Sequence, residues 1–255
     1  MRVFLLLLFS SFFSVSVFAA DRDVLTVWRG DESPLYFSAE NYKQPSEKKE
    51  QQRITQKVFE VISDLPEAHT KTLKVLEVKN QAHVSRGMAN ERRLILNTQS
   101  IDTEDELRAV TIHEIGHVVD LGMLKGKQKQ QSVFSTNDHK VSIDDPSLRF
   151  YKISWNNTTK LKTKARRKDF VSGYAMANTY EDFAETYAFY VLHGEKFRGL
   201  TDHSFPLKKK YYFMKNHVFN GVEFQKHKKA SATYSNTIFD VTLLALSDRK
   251  SIALR

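Results

Sequence analysis

Residues 103–122 read TEDELRAVTIHEIGHVVDLG and give the most clearly delimited helix signal in the chain. Thr103 and Glu106 have the spacing of a capping box at the start of this stretch. Residues four apart in an α-helix lie about 40° from one another around the axis and one turn along it. His113 and His117 therefore share one face of the predicted helix, and both imidazoles can meet one ion.

Glu114 directly follows the first histidine and lies beside the point at which the two imidazoles would meet. A carboxylate in that place suits a base that activates water, so the pattern predicts a catalytic metal site. Most of the remaining helix circumference is apolar, and burial of a His/Glu stripe without strong partners is unfavourable. The alternative is a surface helix whose polar residues pair with each other.

A catalytic zinc takes three protein ligands, so a third must come from elsewhere in the chain. The second well-marked helix is predicted to begin at Asn178 or Thr179 and to end at Gly194. Glu181 and Glu185 lie one turn apart on its face. One carboxylate could bind the ion while the other hydrogen-bonds a liganding histidine, and helical geometry allows either of them to be the ligand.

These motifs resemble those of the gluzincin metallopeptidases, and Tyr174 narrows the resemblance. A tyrosine seven residues before the ligand glutamate, here Glu181, is a feature of the branch that includes the catalytic domain of anthrax lethal factor. The resemblance extends from about Val75 to Phe219 and is specific in the two helices that carry the motifs. It also takes in three shorter matches: Arg86-Gly87, Leu94–Asn97 and residues 169–174.

The resemblance implies an endopeptidase that acts on peptides or proteins and holds one Zn²⁺ per chain. Its three metal ligands would be His113, His117 and Glu181. Glu185 would orient His113, and Glu114 would take a proton from a metal-bound water. Tyr174 would donate a hydrogen bond to the developing oxyanion or to the leaving amine. Leu94–Asn97 would be an edge strand that pairs with the extended substrate, and an interior strand is the alternative.

The implied fold class is α+β, a zincin-type metallopeptidase domain with an active-site helix, a small mixed sheet and a second helix that bears the glutamate ligand. Apolar periodicity predicts the other elements. One helix carries an apolar stripe from Ile54 to Leu65, and another begins after Pro206 and ends at Gly221. Strands are predicted at Val24–Trp28, Leu73–Val78 and Leu94–Leu96, with a turn or bulge at Gly87.

The chain begins with the pattern of a secretory signal peptide. Arg2 precedes an apolar run, and small residues allow cleavage after Ala19 or Ala20, with an uncleaved anchor as the alternative. We therefore expect a secreted or periplasmic protein with no transmembrane segment after cleavage. One metallopeptidase domain is expected over residues 21–255, with a family-like core of about residues 75–220. The 255 residues contain no cysteine, which excludes disulfide scaffolds and thiolate metal sites.

The formal net charge of +9 suggests an anionic partner. Three basic runs, at Lys160–Lys168, Lys208–Lys210 and Lys226–Lys229, could bind an anionic surface polymer, and solvated loops are the alternative. Nucleic-acid binding is not expected, since the first run has few aromatic side chains on which bases could stack. Two rival functions follow: a non-catalytic binding protein of the zincin fold, and a basic protein that binds anionic polymers.

Overall fold

A computed structural model describes residues 45–81, 84–224 and 238–244, with side chains from residue 49 onward. Ahead of these it describes only the backbone of four strands: β1 (Leu5–Leu8), β2 (Ser14–Ala20), β3 (Val24–Trp28) and β4 (Pro34–Glu40). The signal peptide and its cleavage remain predictions. The basic run Lys226–Lys229 lies outside the described residues. Within those residues, no helix is both long and apolar enough to cross a membrane.

The fold class is α+β, as predicted, and the described residues form six helices with a small mixed sheet beside them. The helices are α1 (Pro45–Ser63), α2 (Glu104–Val118), α3 (Leu148–Ser154), α4 (Thr179–Leu192), α5 (Gly194–Leu200) and α6 (Phe205–Phe213). Wider π-helical turns continue α2 to Met123 and α6 to Val218. Asn220 and Gly221 then adopt positive φ angles, which ends the helical stretch that the sequence predicts up to Gly221.

Three short strands border the helices: β5 (Val75–Lys79), β6 (Gly87–Ala89) and β7 (Arg93–Asn97). β7 lies between the other two, parallel to β5 and antiparallel to β6. The prediction that Leu94–Asn97 is an edge strand is therefore wrong, because β6 covers that side of it. Gly87 begins β6 instead of forming a turn, and three residues are too few for an alternating pattern to reveal a strand. On the other side, β4 pairs parallel with β5, and β1 to β4 pair antiparallel in chain order.

Helices α2 and α4 pack closely against each other in the core. Gly116 makes this approach possible, because a Cβ atom there would lie 2.9 Å from the Cα of Ala184 and 3.2 Å from the Cβ of Tyr187. Apolar side chains on nearly every side of α4 are buried, including Phe183, Ala188 and Val191. The close packing brings the polar faces of both helices together on one side of the core.

The basic run Lys208–Lys210 is not a continuous basic surface. Lys210 is fully buried, and its Nζ donates to both carboxylate oxygens of Asp182 at 2.7 Å. Trp155 donates its indole N–H to the same carboxylate at 2.8 Å. The Lys210 ammonium also lies 3.9 Å from the centre of the Phe170 ring. This cluster fixes α6 and the loop before α4 to the start of α4.

Candidate metal centre

Helix α2 carries the two histidines and Glu114 of the predicted motif. The Thr103 hydroxyl accepts a hydrogen bond from the Glu106 backbone N–H at 3.1 Å, which caps the helix as the sequence predicts. The Glu106 carboxylate reaches back to the N–H of Asp102 instead of that of Thr103. The first turn is anchored in this way, and His113, Glu114 and His117 come to lie buried on the side of α2 that faces α4.

Helix α4 supplies the third side chain of the centre. Its N-cap is Asn178, whose side-chain oxygen accepts from the N–H groups of Tyr180 and Glu181. One oxygen of the Glu181 carboxylate, Oε2, lies 3.2 Å from Nε2 of His113 and 3.4 Å from Nε2 of His117. Among the described residues, these three form the one group of histidine and carboxylate side chains with ligand atoms close enough to share an ion.

The distances from Glu181 to the two imidazoles fit a tetrahedral ion. Ligand atoms about 2.0–2.1 Å from a tetrahedral zinc lie about 3.3–3.4 Å apart, which is the separation seen between Glu181 Oε2 and each imidazole. This carboxylate oxygen is buried and accepts no hydrogen bond of good geometry from the described residues. Two imidazoles and a carboxylate are also a common donor set for zinc. The side chains present therefore fit the predicted metal.

Glu185 holds the His113 ring from the opposite side. His113 Nδ1 lies 2.9 Å from Oε1 of Glu185, so the imidazole donates there and turns Nε2 towards Glu181. Glu185 is fully buried, and its other oxygen accepts from the Ser172 hydroxyl and from the Val241 N–H at 2.9 Å. Both oxygens are occupied, which favours Glu181 over Glu185 as the metal ligand.

The imidazoles and carboxylates of the centre stabilise one another's charged forms. Burial alone would lower the pKa of His113, but the carboxylates of Glu181 and Glu185 outweigh it and raise that pKa well above its usual value. Burial alone would raise the pKa of Glu181, yet the two imidazoles outweigh it and hold that pKa well below its usual range. Glu181 is thus ready to act as an anionic ligand at neutral pH.

Glu114 lies beside the three candidate ligands, and its Oε2 does not hydrogen-bond to them as Glu185 does to His113. Its side chain is buried, and Oε2 has no hydrogen-bond partner among the described residues. Gly87 of β6 makes room for it, because a Cβ at that position would lie 2.4 Å from Glu114 Oε1. Burial raises the pKa of Glu114 against the opposing effect of the two imidazoles. A raised pKa makes a carboxylate a stronger base near neutral pH.

Tyr174 packs against a face of the His113 ring. The two rings stack with their centres 6.1 Å apart. Burial and the nearby carboxylates, Glu181 foremost, raise the pKa of Tyr174, so its hydroxyl stays protonated and can donate. The structure thus brings together all six residues that the sequence singles out: His113, Glu114, His117, Tyr174, Glu181 and Glu185.

Three further residues contact the centre without a role predicted for them: Ser172 and Gly87, which lie in the shorter matches of the resemblance, and Val241, which lies in none of them. Val241 lies 56 positions after Glu185, and no local pattern signals contact over that distance. Asp120 lies three residues after His117, in the wider turn that continues α2. It is buried and accepts a hydrogen bond from the Tyr151 hydroxyl at 2.5 Å, so it is not solvated.

The sequence matches a known protein family. The family described as "Putative zinc-binding metallo-peptidase" matches residues 96–235, which is more than half of the chain and includes both motif helices. Searches of curated proteins and of solved structures found no match. The chain belongs to this family.

Proposed function

We propose that this protein is an exported zinc-dependent endopeptidase of the lethal-factor-like gluzincin group. His113, His117 and Glu181 would hold the metal, and Glu185 would orient His113. One observation supports the proposal most strongly: three ligand atoms converge within 4.8 Å of one another, beside a buried carboxylate, Glu114, that has one oxygen without a hydrogen-bond partner among the described residues. A purely structural metal site has no use for such a carboxylate, whereas hydrolysis requires a base.

Glu114 would begin the reaction by taking a proton from the attacking water. When zinc is bound, it supplies Lewis acidity that polarises a carbonyl and lowers the pKa of water towards about 7. The water oxygen bonds to the peptide carbonyl carbon, and Tyr174 donates its O–H to the oxygen on which negative charge develops. Glu114 then passes its proton to the amide nitrogen as the C–N bond breaks. The products are a carboxylic acid, which keeps the second proton of the water, and an amine; transfer of that proton leaves a carboxylate and an ammonium group.

The edge strand β6 offers the surface on which an extended substrate can lie. Its residue Met88 is 61% exposed, and its neighbour Gly87 lies directly over Glu114. A peptide that pairs with β6 by backbone hydrogen bonds would therefore pass over the base. This moves the proposed substrate contact from Leu94–Asn97 to Gly87–Ala89.

The export of the protein rests on the signal pattern at its start and is a separate part of the proposal. It predicts that the protein recovered from outside the cytoplasm begins at residue 20 or 21. Sequencing of its N-terminus tests this. An intact Met1 on the exported protein would contradict cleavage.

The catalytic proposal is tested by peptide cleavage with the zinc-loaded protein. A broad peptide library is incubated with the wild type and with Glu114→Gln, and products are identified by mass spectrometry. We expect cleavage by the wild type and a loss of roughly 10²–10⁴-fold in Glu114→Gln, the usual contribution of a general base. The variant should keep its zinc, because Glu114 is not a ligand. A wild type that carries zinc and cleaves nothing would favour the non-catalytic rival.

A further inference from the structure

Residues Ile238–Leu244 pack against the residues of the metal centre. They lie beyond the family match, which ends at residue 235. We call this segment the C-terminal strap. Its first part lies against the residues around Tyr174. The Gly173 N–H donates to the Ile238 carbonyl at 2.9 Å, and the Tyr174 N–H donates to the Phe239 carbonyl at 2.7 Å. A Cβ at Gly173 would lie 3.1 Å from the Phe239 ring, so the strap fits tightly there.

The middle of the strap is anchored by Asp240. Its carboxylate forms an ion pair with Arg86, which also pairs with Glu106 at 2.7 Å in the first turn of α2. Asp240 also caps the helical turn Val241–Leu243, because it accepts from the N–H of Thr242 at 2.8 Å. The strap is thereby tied to the residue that precedes β6 and to the start of the motif helix.

The next residue, Val241, reaches into the buried centre. Its side chain is fully buried, and its N–H donates to Glu185 Oε2 at 2.9 Å. The other oxygen of the same carboxylate accepts from Nδ1 of His113. A continuous line of hydrogen bonds therefore runs from the strap backbone through Glu185 to a metal ligand.

We propose that the C-terminal strap is a positioning element of the metal centre, in which the Val241 N–H orients Glu185 and the Phe239 carbonyl fixes Tyr174. The inference rests on the proposed function, since it concerns the same ligand set. The strap fixes both partners of His113, the carboxylate on Nδ1 and the tyrosine ring stacked on its face. Partners that orient a ligand in this way typically contribute 10–100-fold, as an order of magnitude, to metal affinity.

Val241→Pro removes the donor with little change to the strap backbone. Val241 is the first residue of a helical turn, where proline is well tolerated, and Asp240 before it has the extended backbone that precedes proline. The proline ring occupies the place of the hydrogen, so the Glu185 carboxylate must turn away. Val241→Ala is the matched control, because it shortens the same buried side chain and keeps the N–H.

The readout is the zinc dissociation constant, measured by competition with a chromophoric chelator on the full chain. We expect Val241→Pro to bind zinc roughly 10–100-fold more weakly than Val241→Ala. The absorption bands of the Co²⁺-loaded proteins should differ between the two variants as well. The metal-free proteins should melt at similar temperatures, which separates ligand orientation from general destabilisation. Equal zinc affinities in the two variants would overturn the proposal.

A second variant decides the question if Val241→Pro does not fold. Asp240→Asn keeps the cap on Thr242 but loses the charge that Arg86 pairs with, so the strap is held less firmly. We expect weaker zinc binding than in Leu243→Ala, which shortens an exposed strap side chain. Equal affinity in these two variants would also overturn the proposal. A wild type that binds zinc without cleaving peptides would contradict the proposed function alone, since the strap is judged by metal affinity.

Discussion

Glu181 and Asp182 are neighbours on α4, yet their carboxylates have opposite surroundings. Asp182 is fully buried and accepts from the Lys210 ammonium and the Trp155 indole. Glu181 faces two imidazoles, and within the part of the chain that the structure describes its Oε2 accepts no hydrogen bond of good geometry. Asp182, Lys210 and Trp155 form a cluster that completes its own hydrogen bonds, which we call the closed cluster. Glu181, the two histidines and Glu114 form a cluster that leaves acceptor atoms directed at a common point, which we call the open cluster. The second kind is suited to an ion.

The buried histidines show the same contrast. His69 lies in the core with both ring nitrogens occupied, Nδ1 by the Tyr187 hydroxyl at 2.7 Å and Nε2 by the Val218 carbonyl at 2.8 Å. His113 uses Nδ1 in a hydrogen bond to Glu185 and directs Nε2 to the shared point instead. A buried histidine is therefore a structural residue when both nitrogens bond within the protein, and a candidate ligand when one does not.

The largest expected effect comes from breaking the closed cluster. Lys210→Met leaves the Asp182 carboxylate buried without its cation, and loss of one partner of a buried ion pair costs about 3–5 kcal/mol. We expect a fall of that size in the free energy of unfolding, measured by urea denaturation. The zinc affinity of the folded variant should change little, because Lys210 does not contact the metal ligands.

Lys208→Met is the matched control, since Lys208 is an exposed residue of the same helix. It should change the free energy of unfolding by less than about 0.5 kcal/mol. If Lys210→Met were as stable as this control, the closed cluster would not stabilise the fold as the comparison requires.

The next effect concerns Tyr174. Tyr174→Phe keeps the ring that stacks on His113 and removes only the hydroxyl. We expect kcat to fall by roughly 10²–10³-fold, the scale of one lost oxyanion donor, with little change in zinc affinity. Steady-state kinetics on a cleaved library peptide measure this. An unchanged kcat would assign Tyr174 a packing role only.

A pH-dependent effect should come from His69. Burial lowers its pKa to about 4, although its hydrogen bond to the Val218 carbonyl opposes the shift. The unfolded chain binds the proton more readily, so this residue's stabilisation is complete above about pH 6.5 and is lost as the pH falls towards 4. The loss amounts to about 3 kcal/mol over that range.

Urea denaturation at pH 7 and at pH 4.5 tests this with the wild type and His69→Gln. The variant should lose less stability between the two pH values than the wild type, because glutamine does not titrate. An equal loss in both proteins would mean that other groups cause the pH dependence.

The smallest expected effect is on the free energy of unfolding, and it comes from a substitution in the open cluster. Glu114→Gln replaces a buried carboxylate whose Oε2 has no hydrogen-bond partner among the residues that the structure describes. We expect the metal-free variant to be as stable as the wild type or more stable by about 1 kcal/mol. Urea denaturation after chelator treatment measures it. A clear loss of stability would show that Glu114 is a structural residue.

The motif helices could be predicted from the sequence because their signals are local. Helical spacing places His113 and His117 on one face of α2, and the Thr103 cap marks its start. The same holds for Glu181 and Glu185 on α4, where Asn178 is the cap. Short spacing along a helix translates directly into distance in space.

Other features depend on contacts between distant parts of the chain. β6 is three residues long, so its place at the sheet edge has no periodic signal. Lys210 lies in a basic run, and its burial becomes visible only when α6 packs beside Asp182. The contact of Val241 with Glu185 likewise depends on how the strap returns to the centre. Tertiary packing sets each of these features, and local sequence does not carry them.

The zinc content of three proteins, the wild type, Glu181→Ala and Glu185→Ala, tests the ligand set most directly. Each is purified, exposed to equimolar zinc, dialysed and analysed for metal per chain. We predict about one zinc per chain in the wild type, little in Glu181→Ala, and retained but more weakly held zinc in Glu185→Ala. A Glu185→Ala protein without zinc beside a Glu181→Ala protein that retains it would contradict the account.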